Sequence, residues 1–128
     1  MSGRLTARHL LITALLAAAL AGCGPTPPQA PHAQAKKLGA STGDISTECG
    51  LTYVVTAFPG NHRKDLASLQ KQAAASVRSL ASVYAENPKW IYQGETVDQI
   101  VVDAITMLKA CGLPHAARTL ERATGQRT

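Results

Sequence analysis

From residue 44 onward, apolar side chains recur at intervals of three and four and group into four segments that predict helices. The first spans about residues 44–58. Asp44 can cap its start, and Leu51, Val54, Val55 and Phe58 fit the i, i+3, i+4, i+7 pattern of an inward stripe. Residues 52–56 also carry the β-branched and aromatic types that favour strands, so two signals compete here. Pro59-Gly60-Asn61 then breaks the chain.

The second segment, residues 62–86, has the clearest periodicity. Leu66, Leu69, Ala73, Val77, Leu80 and Tyr84 follow a period near 3.6, with Lys64, Lys71, Gln72 and Arg78 off the stripe. Asn87-Pro88 stops it. The third runs over residues 96–110. Thr96 and Gln99 form a capping-box pattern. Val97, Ile100, Val101, Val102, Ala104, Ile105, Met107 and Leu108 make this helix apolar most of the way round, as suits the centre of a bundle. Gly112 is placed for a left-handed C-cap. The fourth, residues 114–124, opens on Pro114, turns Ala116, Ala117, Leu120 and Ala123 inward, and closes at Gly125. No hairpin pattern stands out.

Before residue 44 the pattern differs. Arg4 and Arg8 precede an uncharged apolar run over residues 10–21, too short for a membrane-spanning helix of roughly twenty residues. A basic stretch followed by a short apolar one is the layout of an export signal. At its end stands Leu20-Ala21-Gly22-Cys23. This tetrapeptide resembles the lipobox of bacterial lipoprotein precursors, where the lipoprotein signal peptidase cuts. The resemblance covers residues 1–23 alone. It implies that residues 1–22 are removed and that Cys23 becomes a lipidated N-terminus. The mature chain would then be exported and anchored at the extracytoplasmic face of the cell membrane or the outer membrane. More than one acyl chain holds a protein far more firmly than the single chain that binds marginally.

Residues 23–43 then read as the lipidated cysteine and a disordered tether, with Pro25, Pro27, Pro28 and Pro31 followed by Lys36, Lys37, Gly39 and Gly43. Residues 44–128 form one small helical domain. The fold expected is all-α: a bundle of three to four helices after a disordered tether, braced by a disulfide. Once Cys23 is acylated, Cys49 and Cys111 are the cysteines left, in a compartment that permits disulfides. Their bridge would close a loop of roughly sixty residues, worth about 4 kcal/mol in the chain-entropy account.

Charge narrows the partners. The formal net charge is +5; without residues 1–22, eleven basic and eight acidic residues remain. That is too mild and too scattered for nucleic-acid binding. The one local basic cluster of the domain, Asn61-His62-Arg63-Lys64, reads as a solvated turn. No metal site is expected, because His62, His115, Cys49 and Cys111 show no metal-ligand spacing. His32 and His115 receive no role. No cofactor is implied, and no enzyme is read: Glu48, Glu95, Asp98 and Asp103 form no catalytic pattern, and Asp98 and Asp103 do not share a helix face.

The candidate contact lies in residues 89–94, where Trp90 and Tyr92 stand between the second and third helices. Both types are enriched at binding hot spots; the plainer alternative is that they fold back over the open end of the bundle. The function expected is a membrane-anchored accessory module that meets another envelope protein. The alternative is a carrier of a small apolar ligand or lipid between the helices.

Overall fold

The computed structural model describes residues 28–58 and 63–128. Residues 1–27, with Leu20, Ala21, Gly22 and Cys23, lie outside the described residues, as do the Pro59-Gly60-Asn61 break and His62 of the basic cluster. Four helices and a minimal hairpin make up the described fold: α1 (His32–Ala57), α2 (Arg63–Glu86), β1 (Ile91–Tyr92), β2 (Glu95–Thr96), α3 (Val97–Cys111) and α4 (Pro114–Thr124). α1 packs on α2, α2 on α4, α4 on α3, and α3 back on α1. Both α2 and α3 touch the other three helices, so the core lies between them.

The later helices follow their sequence signals closely. Leu69, Ala73, Val77 and Leu80 of α2 are buried, and Tyr84 packs against the core. The Thr96 hydroxyl caps α3 by accepting from the Gln99 backbone N–H. Gln99 does not complete the reciprocal half of the box; its side-chain amide donates to Asp103 instead. At the other end Gly112 sits at φ 91°. Gly112 N–H donates to the Lys109 carbonyl and Leu113 N–H to the Leu108 carbonyl, the paired bonds of a Schellman motif.

α1 departs from expectation in three ways. It begins at His32 rather than near residue 44, so residues 32–43 are helix and not tether. Pro31 starts it, its carbonyl accepting from Ala35 N–H at 2.8 Å. Its inward face is Leu38, Ser41, Ile45, Glu48, Cys49 and Thr52. Leu51, Val54 and Phe58, expected to point inward, are instead exposed. The physical reason is that half of the true inner face is polar. Ser41 and Thr52 can be buried because each hydroxyl donates to a carbonyl one turn back, Lys37 and Glu48 respectively. An apolar period therefore could not mark this face.

The hairpin was also not expected. Gln93 and Gly94 both have positive φ, 49° and 83°, the pattern of a two-residue type I′ turn. Gln-Gly lacks the usual Asn-Gly or Asp-Gly signal, and two residue pairs are too few to alternate. The incoming chain is stitched to this hairpin: Ala30 N–H donates to the Ile91 carbonyl and Ile91 N–H to the Pro28 carbonyl, both at 2.9 Å.

The expected bridge is present. Cys49 on α1 and Cys111 at the end of α3 are joined, with Cα atoms 5.3 Å apart, across a separation of 62 residues.

Candidate functional site

The hairpin, α1 and α3 enclose a cleft of about 260 Å³. Ile45, Ile100, Ala104 and Met107 supply its apolar wall, and Thr42 its rim on α1. Tyr92, Gln93 and Glu95 close the hairpin side, and Asp103 closes the α3 side. Alternation along β1 explains why Tyr92 reaches the cleft: it stands out of the ladder on one face while its hydroxyl runs toward α1. A Cβ on Gly39 would lie 2.8 Å from that hydroxyl, so glycine at 39 leaves the phenol its place.

Glu95 and Asp103 give the cleft its charge. They come together although eight residues separate them, because the hairpin turns back over the start of α3. The neighbouring Asp103 carboxyl, within hydrogen-bonding reach, holds the Glu95 carboxyl above its ordinary range, and desolvation adds to the shift. Gln99 braces the pair by donating its amide to Asp103 Oδ1 at 2.9 Å. Two carboxyls beside an apolar wall suit a group with an aliphatic stem and a cationic head. The stem would lie along the wall and the cationic head would sit against the carboxyl oxygens.

Trp90 and Tyr92 divide between the two roles weighed for them. Trp90 is half-buried against the core and is not part of the cleft lining, whereas Tyr92 packs on the core and lines the cleft as well. Asp98 serves the hairpin rather than the cleft. Lys89 Nζ lies 2.7 Å from Asp98 Oδ2, and Thr96 bonds the other oxygen. Lys89, and next the Thr96 hydroxyl, hold the Asp98 carboxyl below its ordinary range. His115 is exposed beside Arg118. Among the described residues no group of three His, Cys, Asp or Glu side chains is placed to hold a metal ion.

Sequence reasoning missed the Glu95–Asp103 pair, since it depends on an unforeseen turn. It also did not foresee the burial of Glu48, which is 6 % exposed between α1 and α2. Ser76 donates to its Oε2 at 3.1 Å, while its Oε1 has no partner among the described residues. Burial pushes the Glu48 carboxyl above its ordinary range against the opposing Ser76 bond, and Asp44 adds a smaller push.

No family model, characterised relative or solved structure matches the chain. Its function must therefore be argued from its own residues.

Proposed function

We propose that the chain is a lipid-anchored accessory module of the bacterial cell envelope, which binds a partner protein by taking one cationic side chain into the cleft beside Tyr92. The observation that carries this reading is the cleft itself: apolar walls of Ile45, Ile100 and Met107, with the Glu95–Asp103 pair at the rim. Its volume falls just below the roughly 300–1,000 Å³ of pockets that enclose a free ligand. A lysine or arginine side chain presented by a larger partner fits it better. The chain's mild charge and lack of catalytic patterns agree with a binding role.

The lipobox-like residues 20–23 supply the anchor in this reading. With Pro28 already fixed to the hairpin, residues 23–27 alone connect a lipidated Cys23 to the fold. Five residues reach about 18 Å at most. The hairpin end of the bundle would therefore lie close to the bilayer, and the partner would be met near the membrane surface. No described helix is long and apolar enough to cross a membrane.

A carrier of a small apolar ligand is the second reading, favoured by the apolar share of the same lining. A photo-crosslinking residue at Gln93, in cells expressing the full chain, separates the two. The proposed role gives one dominant protein adduct, lost when Asp103→Lys reverses the rim charge. The yield should rise with pH across and above the ordinary carboxylate range, as Glu95 ionises. An adduct with lipid and none with protein would favour the carrier. A protein adduct indifferent to Asp103→Lys would remove the cleft as the contact.

A further inference from the structure

The solvent side of α1 carries a row that no contact within the described molecule explains. Ala40, Gly43, Thr47, Gly50, Val54 and Ala57 are all exposed and follow alternating steps of three and four. That is the a and d spacing of a two-helix seam. Two of the six are glycines inside a helix, where glycine is unfavourable relative to alanine. Gly39, on the inner side, has its reason in the Tyr92 hydroxyl. A Cβ on Gly43 or Gly50 would meet nothing within 4 Å among the described residues. A bare backbone on an outward face allows a second backbone to approach closely. The last turns of the same side also expose large apolar groups: Leu51 at 46 %, Tyr53 at 72 %, Val54 at 49 % and Phe58 at 64 %. Contiguous exposed apolar surface of this kind marks an interaction face.

We propose that this face pairs with a second copy of the chain, α1 lying parallel to α1 about a two-fold axis along the helices. The register is self-complementary. In a parallel pair each seam residue meets its own copy, so small side chains face small ones at 40, 43, 47 and 50. Positions flanking the seam meet the residue five further along the other chain. Tyr53 then faces Phe58 of the second copy, twice over. An antiparallel pair centred on residues 47–50 would set these aromatics against Gly39, Ala40, Gly43 and Asp44, which offer no apolar partner.

The chain's own N-terminus does not supply the cover once it begins at Cys23. It enters at the opposite end of the bundle with a reach of about 18 Å, whereas Leu51 lies roughly 28 Å along α1 from its start. The parallel direction rests in part on the anchor proposed above. Two chains held by N-terminal lipids in one leaflet present α1 pointing the same way. Shared anchoring also raises their effective concentration, which a narrow seam needs when a standard interface buries about 800 Å² per partner.

Single cysteines replacing Ala40, Thr47 and Ala57 test the pairing in the full chain in its own membranes, using a short bis-maleimide that leaves the closed Cys49–Cys111 bridge untouched. The expected result is a dimer at all three positions and none at Lys71→Cys on the exposed side of α2. Crosslinks at Thr47 alone would overturn the parallel arrangement. No dimer at any of the three, or capture of a different protein only, would overturn the pairing. The double variant Gly43→Glu, Gly50→Glu, which sets like charges against each other across the seam and is a better helix former than glycine, separates pairing from folding. Dimer lost with an unchanged or higher Tm supports the seam, and dimer retained overturns it. Palmitate incorporation at Cys23, read in the same samples, reports the anchor independently: a dimer without acylation would keep the pairing and discard the anchor.

Discussion

At the scale of single residues, Glu48 makes the sharpest demand on the fold. Its carboxyl is buried, one oxygen accepts from Ser76, and the other has no described partner. A buried acceptor without a partner costs about 1–3 kcal/mol. Because burial raises its folded-state pKa above the unfolded value, the stability linked to Glu48 is fully present below the ordinary glutamate pKa. It is lost as pH rises through the raised one. Glu48→Gln keeps an acceptor for Ser76 and removes the charge. It should stabilise the protein by about 1 kcal/mol at neutral pH, and the advantage should disappear in acid below about pH 4. Urea melts of both proteins at several pH values check this; an advantage that persists unchanged in acid would contradict it. Nothing in the sequence marks Glu48, a glutamate between a threonine and a cysteine. Its burial follows from the face α1 turns inward, which only packing decides. Cys49 and Cys111, by contrast, were legible, because residue type and a process of elimination were enough.

At the scale of elements, legibility tracks how fully local signals agree. α3 opens on the Thr96 cap and α4 on Pro114 in its first turn, each ends on a left-handed glycine, and their observed bounds match those signals to within a residue, although Ala123, expected inward, is exposed. α1 has no such agreement. Its start lacks a capping side chain, its early turns follow a run of prolines, and its inner face mixes Leu38 and Ile45 with Ser41, Glu48 and Thr52. By local signals alone, residues 32–43 therefore resemble a tether. Leu38 decides between the two descriptions. It is 0 % exposed in the core, so Leu38→Ala should cost about 2–5 kcal/mol, whereas the same change in a disordered tether would cost nothing. Thermal unfolding of the variant measures it. The hairpin offers a second check. Gly94 sits at φ 83°, so Gly94→Ala should destabilise by about 1–2 kcal/mol. Proteolysis of the 89–96 segment should then become faster, with the helices little changed by circular dichroism. An unaltered melting curve would mean that the turn adopts another form.

At the scale of the whole molecule, a bundle of under a hundred residues has a small core and relies on its brace. The Cys49–Cys111 bridge ties the middle of α1 to the end of α3 over 62 residues. Reduction should therefore lower stability by about 2–4 kcal/mol. At about 4–8 °C per kcal/mol for a domain of this size, the fall in Tm should exceed 8 °C. A Cys49→Ser, Cys111→Ser variant melting with the oxidised protein would contradict that. The cleft and the outward row of α1 belong to this scale too, since each combines residues that are distant or unremarkable in sequence. Glu95 meets Asp103 only because the chain reverses at Gln93-Gly94. Gly43 and Gly50 stand out only once α1 is known to extend past them.

In the proposed reading, the bundle sits on a membrane by its hairpin end, through a short link from Cys23. The most direct test is the intact mass of the protein purified from its own membranes. The expected species begins at Cys23, carries two or three acyl chains on that residue, and is two hydrogens lighter for the closed Cys49–Cys111 bridge. A mature chain that begins elsewhere, or that begins at Cys23 without acyl groups, would contradict the reading.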